Sequence, residues 1–189
     1  MKSERMTAGR PRASSRDTIE EAAAELFLEQ SYSGTTIDDI TQRAGVSRAT
    51  FFNYFASKGD VLWMDADHAI EMLERRLRAG DTVIDAVNAV AADVGSERVP
   101  LAVTQSDVMG TGEELVASGL ARVACLTGLI RAALQSQAEA DRDELALTVR
   151  AHCISGAIVA AWGAWINGGV DRAPLGDYAE RALALVQLE

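Results

Sequence analysis

The sequence predicts an all-α fold of about nine helices, a three-helix N-terminal unit followed by a helical bundle. Three observations carry that expectation. The 189 residues are 48% hydrophobic, rich in Ala, Leu, Glu and Arg, and include only three prolines, and such residues lose little side-chain freedom in a helix. Apolar residues recur at three- and four-residue intervals rather than alternating, which is the period of a helix buried along one stripe. Gly, Ser, Asp and Pro stand at the joints between these runs, where caps and chain reversals need them.

Residues 1–14 hold Lys2, Arg5, Arg10 and Arg12 without apolar periodicity, so they are expected to form a flexible basic arm. The first helix opens near Ser15 and carries Ile19, Ala22, Ala23, Leu26 and Phe27 on one face, until Ser31, Ser33 and Gly34 break it. Thr36, with Asp39 three residues on, forms a capping box for a short helix through Ile37, Ile40 and Ala44. Ser47 caps a third helix bearing Phe51, Phe52, Tyr54 and Phe55. The stretch Ser57–Asp60 separates it from a longer fourth with Val61, Leu62, Met64, Ile70, Leu73 and Leu77.

Beyond Gly80, Asp81 starts a helix with Val83, Ile84, Val87, Val90 and Val94 on one face. Pro100 suits a first helical turn and Gly110–Gly112 a chain turn. Long helices are expected near residues 113–138 and 142–167, and Pro174 opens a last amphipathic helix through Leu175, Tyr178, Ala182, Leu183 and Val186. The domain boundary falls within the fourth helix, separating residues 15–62 from 63–189.

Two short helices joined by Ala44-Gly45-Val46-Ser47 make a helix-turn-helix. Gly45 can adopt the left-handed conformation that ends one helix, Ser47 caps the next, and Val46 plugs the crevice between them. The second helix of such a motif enters the DNA major groove. Its first turn, Ser47-Arg48-Ala49-Thr50, has suitable chemistry. Arg48 can hydrogen-bond twice to guanine, Thr50 can meet a thymine methyl, and Ala49 allows close approach. Asn53 and Tyr54 reach bases or phosphate from further along the exposed side, and Lys58 suits a phosphate. Phe51 and Phe55, four apart, belong to the core.

The net charge of −10 is unevenly spread. Residues 1–16 hold five basic side chains against Glu4, whereas residues 61–189 hold ten arginines against nineteen carboxylates. A basic tip on an acidic body orients itself on a polyanion.

The pattern Ile19…Ala22-Ala23…Leu26-Phe27, Thr35-Thr36-Ile37…Ile40…Ala44-Gly45-Val46-Ser47 and Thr50-Phe51-Phe52…Tyr54-Phe55…Ser57-Lys58…Leu62 resembles the DNA-binding domain of TetR-family regulators. The resemblance implies a homodimer whose third helices read the two halves of a palindromic operator in double-stranded DNA. By position it assigns Thr36, Ser47, Arg48, Ala49, Thr50, Phe52, Asn53, Tyr54 and Lys58 to DNA contact. This chain departs from the family in having Phe52 where a Tyr hydroxyl usually meets phosphate, and Ser31 where Gly usually stands.

The resemblance further implies a repressor whose C-terminal helices hold a small-molecule effector pocket and the dimer interface. Residues 152–165 are apolar nearly all round, and Gly156, Ala160, Gly163 and Ala164 permit close helix approach. With the last helix they are expected to form half of a four-helix dimer bundle. Trp63, Met72, Leu126, Trp162 and Trp165 are the candidate pocket walls for an apolar or acyl-type effector. The layout around Lys58–Asp65 resembles a branch with acyl-CoA-like ligands. Arg131 and Arg150 are expected to make surface ion pairs rather than hold a head group.

The competing readings are a dimeric DNA-binding protein without ligand control and a helical-bundle enzyme. The enzyme reading lacks a Glu-x-x-His pair, a Gly-rich phosphate loop and a Ser/His/Asp constellation. No catalytic residue, cofactor or metal site is expected, since His68 and His152 have no companion ligands at suitable spacing. Cys125 and Cys153 are expected to be buried thiols in a cytoplasmic protein. No apolar run reaches the roughly 18–20 residues that span a bilayer, so no membrane partner is expected.

Overall fold

A computed structural model of the chain describes residues 15–94, 99–137 and 143–186. The basic arm, residues 1–14, lies outside the described residues. The described chain is all-helical, with ten α-helices and one 3₁₀ turn. In order they are α1 (Ser15–Gly34), α2 (Ile37–Ala44), α3 (Arg48–Phe52), the 3₁₀ turn Gly59–Trp63, α4 (Met64–Ala79) and α5 (Val83–Asp93). Then come α6 (Leu101–Thr104), α7 (Ser106–Met109), α8 (Gly112–Ser136), α9 (Glu144–Ile166) and α10 (Leu175–Val186). The count exceeds the expected nine because the stretch after Pro100 folds as two four-residue helices.

The N-terminal core is built on the α1 stripe read from the sequence. Ile19, Ala22, Ala23, Leu26 and Phe27 are all buried and pack with Ile40, Phe51, Phe55, Val61 and Leu62. Met109 of α7 is fully buried in the same cluster, so a residue far along the chain completes this core. The C-terminal core gathers Leu73 of α4, Val83, Ala86, Val87 and Val90 of α5, and Leu126, Ile130, Ala133 and Leu134 of α8. Leu147, Ala151, Ile154 and Ala157 of α9 and Leu183 of α10 close it. A smaller cluster around Trp165 joins Ala91, Ile166, Leu175 and Ala179.

The α1 helix runs through the expected break but is kinked at Ser31, whose φ is 65°. A side chain with a Cβ is strained there, and glycine is not. This is the position at which the sequence departs from a family glycine, and the backbone retains the glycine conformation. We expect Ser31→Gly to raise stability by about 1 kcal/mol, within the range that such strain costs. An unchanged or lower midpoint of denaturant unfolding would contradict the strain.

One expectation is corrected. Cys125 and Cys153 are exposed, not buried, because they lie on the outward faces of α8 and α9. Those faces are apolar as well: Val116, Leu120 and Val123 of α8, and Leu145, Val149 and Val159 of α9, are exposed. Both α8 and α9 are long and apolar enough to cross a membrane by length and composition, although no uninterrupted apolar run in the sequence shows it. Small residues such as Gly128, Gly156 and Gly163 are interspersed with the apolar ones.

Candidate nucleic-acid interface and apolar cavity

The helix-turn-helix is held by local hydrogen bonds that the sequence anticipates. Thr36 caps α2, accepting from Asp39 N at 3.1 Å, while the Asp39 carboxylate accepts from Thr36 N at 2.8 Å and from its hydroxyl at 2.7 Å. Those hydrogen bonds from Thr36 hold the Asp39 carboxyl below the usual carboxylate range. Gly45 ends α2 with φ 67°. Ser47 caps α3, its Oγ accepting from Thr50 N at 3.0 Å. Arg43 anchors α2 to α1 through Glu29 at 2.7 Å and Glu25 at 3.0 Å.

This frame presents Ser47, Arg48, Ala49, Phe52, Asn53 and Tyr54 as exposed residues, with Thr50 half-buried and Phe51 and Phe55 buried. Thr36 is exposed at the start of α2. Arg48 does not extend freely. Its Nη1 donates to Asp38 Oδ1 at 2.6 Å, and its guanidinium lies 5.5 Å from the Phe52 ring centre. Phe52 thus carries a role that its missing hydroxyl does not: it supports the arginine next to it.

Lys58 lies half-buried behind the motif. Its Nζ donates to the carbonyls of Tyr32 at 2.6 Å and Thr35 at 2.7 Å, and sits 3.9 Å from the Tyr32 ring centre. These carbonyls belong to the C-terminal end of α1 and the link to α2, where a cation is favoured. Burial lowers the Lys58 pKa, against the nearby Glu114, while burial and then Glu114 push the Tyr32 hydroxyl up. Two of the three ammonium hydrogens are engaged, leaving one for an external oxygen.

All five candidate pocket residues, Trp63, Met72, Leu126, Trp162 and Trp165, line one cavity of about 500 Å³ among α4, α5, α8, α9 and α10. Trp63 and Trp162 stack with ring centres 6.0 Å apart and an interplanar angle of 27°. Trp63 Nε1 donates to Ser118 Oγ at 2.8 Å. Trp165 is fully buried, and its Nε1–H has no acceptor among the described residues. Asp65, His68, Asp93 and Arg122 are the titratable side chains of the lining. A larger cleft, about 900 Å³, runs between α1 and residues 99–109. Its rim carries Asp17, Glu20, Glu21, Glu25 and Asp65, which suits an apolar ligand poorly.

Two residues of the candidate sites are not marked by the sequence. Asp38, the partner of Arg48, lies ten residues away across the helical hairpin, so only the fold pairs them. Arg122 lies in the middle of α8, and its side chain is only 15% exposed. Its Nε and Nη2 donate to Asp67 at 2.7 and 2.8 Å, Nη2 also reaches Asp60 at 3.1 Å, and Nη1 donates to the Ser118 carbonyl at 3.1 Å. Burial pushes the Asp60 carboxyl up, but hydrogen bonds from Arg122 and Ser57 together hold it below the usual range. Arg131 pairs with Glu144 at the surface, as the sequence reading expects. His152 Nδ1 lies 2.8 Å from the Thr148 carbonyl, and no metal-binding group of His, Cys, Asp and Glu forms among the described residues.

Residues 19–62 match the family model described as "Bacterial regulatory proteins, tetR family". The chain is 33% identical over 84 residues to a Mycobacterium tuberculosis transcriptional regulator named for mycofactocin biosynthesis. It is 36% identical over 62 residues to the transcriptional regulator HbdR of Aromatoleum sp.. These matches cover 44% and 33% of this chain and only 42% and 27% of those relatives. Over nearly its whole length the fold resembles two solved structures. One is Thermus thermophilus FadR, a TetR-family repressor in complex with lauroyl-CoA, at TM-score 0.51 and 24% identity, covering 90% of this chain and 92% of that one. The other is SmeT, the repressor of the Stenotrophomonas maltophilia multidrug efflux pump SmeDEF, at TM-score 0.54 and 20% identity, covering 93% and 89%. The curated relatives so described are regulators of transcription, and the helix-turn-helix domain of this chain, residues 19–62, is of the kind found in the TetR family of bacterial regulatory proteins.

Proposed function

We propose that the chain is a cytoplasmic, ligand-responsive repressor that binds a palindromic operator as a homodimer. The observation that carries this reading is the exposed first turn of α3, Ser47-Arg48-Ala49, held rigidly by the Ser47 cap and by the buried Phe51. Arg48 and Thr50 read base edges there, with Asn53 alongside them. Thr36, Tyr54 and the remaining hydrogen of Lys58 engage phosphate, which sets register rather than sequence. Phe52 supports Arg48 and contributes no hydrogen bond of its own.

The second copy sits on the open face of α9 together with α10. Leu145, Val149, Cys153, Gly156, Ala160 and Ala164 form an exposed, largely small and apolar stripe on α9, and Leu185 of α10 is 73% exposed. Covering such a stripe removes apolar area from water and lets two helices approach closely. The dimer would hold its recognition helices about one DNA turn apart, roughly 34–36 Å. A small effector, apolar or acyl-type, occupies the cavity among α4, α5, α8, α9 and α10, tilts α4 and changes that spacing.

An operator selected in vitro from random duplexes, with the binding then titrated against a panel of small apolar and acyl compounds, tests this reading. We expect a two-fold symmetric site, a 2:1 protein-to-duplex stoichiometry and at least one compound that weakens the complex. A symmetric site whose affinity no compound alters would favour a DNA-binding protein without ligand control. Failure to select any sequence would remove the DNA-binding reading altogether.

A further inference from the structure

The first half of α8 lies against the helix-turn-helix domain along a stripe of three polar residues spaced four apart: Glu114, Ser118 and Arg122. Glu114 packs on Gly59 so closely that a Cβ there would collide with its carboxylate, and it lies near Lys58 and Tyr32. Ser118 accepts from Trp63 Nε1 at 2.8 Å and donates to the Glu114 carbonyl at 2.6 Å. Arg122 binds Asp67 on α4 and Asp60 in the 3₁₀ turn, with its guanidinium 5.3 Å from the Trp63 ring centre. Four of its five N–H groups are thereby engaged.

The path continues toward the DNA-reading face. While one Asp60 oxygen takes Arg122, the other accepts from Ser57 N at 2.8 Å and Ser57 Oγ at 3.0 Å, closing the turn that contains Lys58. Lys58 fixes the Tyr32 and Thr35 carbonyls, and Thr35 precedes the Thr36 cap of α2. On the other side, Arg122 shares the cavity wall with Leu115, Gly119, Val123 and Leu126 of the same helix. At Gly119 a Cβ would come within 2.9 Å of the Trp63 ring. The helix and the tryptophan are therefore too closely packed to shift independently, and a network of this kind moves between discrete arrangements rather than deforming smoothly.

We propose that Arg122 is the positioning residue that couples the cavity to the DNA-reading domain, by holding Asp60 and Asp67 in one arrangement when the cavity is empty and releasing Asp60 when an occupant moves α8. This rests on the reading of the cavity as an effector site. Arg122 belongs both to the cavity wall and to the ion network that closes the Ser57–Asp60 turn. It adds to the tilt of α4 a named link through which that tilt would reach the α2 cap.

The test measures a coupling ratio, the dissociation constant of the aromatic, anionic dye 1-anilinonaphthalene-8-sulfonate with saturating selected operator duplex divided by that without it. Linkage requires the ratio to report the same coupling that occupancy exerts on DNA binding, and allosteric couplings are typically about 5–150-fold. We expect a wild-type ratio above about 5, falling to about 1 in Arg122→Gln and in Asp60→Asn. The Asn retains an oxygen for Ser57, so it isolates the ion pair from the turn and decides the matter if Arg122→Gln fails to fold. Because Arg122 lines the cavity, its substitution can alter dye affinity, and the ratio cancels that effect. A coupled wild type with equally coupled variants would overturn the role of Arg122 and leave the cavity reading standing. A wild-type ratio of 1, or no dye binding, would overturn the cavity reading itself and the coupling with it.

Discussion

Replacing Arg48 with alanine is expected to weaken specific operator binding by about 1–3 kcal/mol and to relax sequence preference at the base pair it faces. The side chain is 56% exposed at the start of the recognition helix, and its present partner, Asp38, is 71% exposed. A pair so open to water contributes about 0–1 kcal/mol, so exchanging Asp38 for a guanine edge costs little compared with what a bidentate contact contributes. The Phe52 ring centre, 5.5 Å from the guanidinium, gives that side chain a second contact on its own helix. The loss is best read by fluorescence anisotropy on selected and scrambled duplexes at one fixed salt concentration, since phosphate contacts make both affinities salt-dependent. Equal affinity of wild type and variant for the selected duplex would displace the base-reading role from Arg48.

The second large effect is expected at Phe51. Its ring is fully buried, 5.4 Å from Phe52 and 5.5 Å from Phe55 between ring centres, inside the cluster that joins α1, α2 and the 3₁₀ turn. The α3 helix has five residues, too few to persist on its own helical propensity. It exists because Phe51 fastens it to the domain. Phe51→Ala should therefore lower unfolding stability by about 3–5 kcal/mol, the usual cost of emptying a buried aromatic site. Operator binding should fall with it. Urea unfolding followed by circular dichroism checks the stability. A loss below about 1 kcal/mol would show that α3 is held by something other than this ring.

Much of this architecture is legible in local sequence. The Thr36 and Ser47 caps, the Gly45 stop and the α1 stripe are encoded within a few residues of where they act, so periodicity and cap chemistry find them. The α6–α7 pair was harder to read, because four-residue helices have no full period to detect. The site divides in the same way. Residues on α3 follow from their position in the motif, whereas the Asp38–Arg48 pair and the Arg122 network join residues 10, 55 and 62 apart. No local pattern marks such pairs, because they result from packing one helix across another. The exposure of Cys125 and Cys153 is hidden for a related reason: an apolar neighbourhood in sequence looks the same whether the helix face meets its own core or is left open.

The shortness of α3 also bears on how much information the protein can extract from a genome. Five residues at about 1.5 Å each extend about 7.5 Å, a little over two base-pair steps of about 3.4 Å. Each fully distinguished base pair is a choice among four, so in the proposed homodimer two such half-sites would select about one sequence in 256. A bacterial chromosome offers about a million or more competing positions. For that proposed dimer most of the address would therefore reside outside the bases facing α3, in the fixed interval between half-sites and in the sequence-dependent shape of the DNA between and beside them.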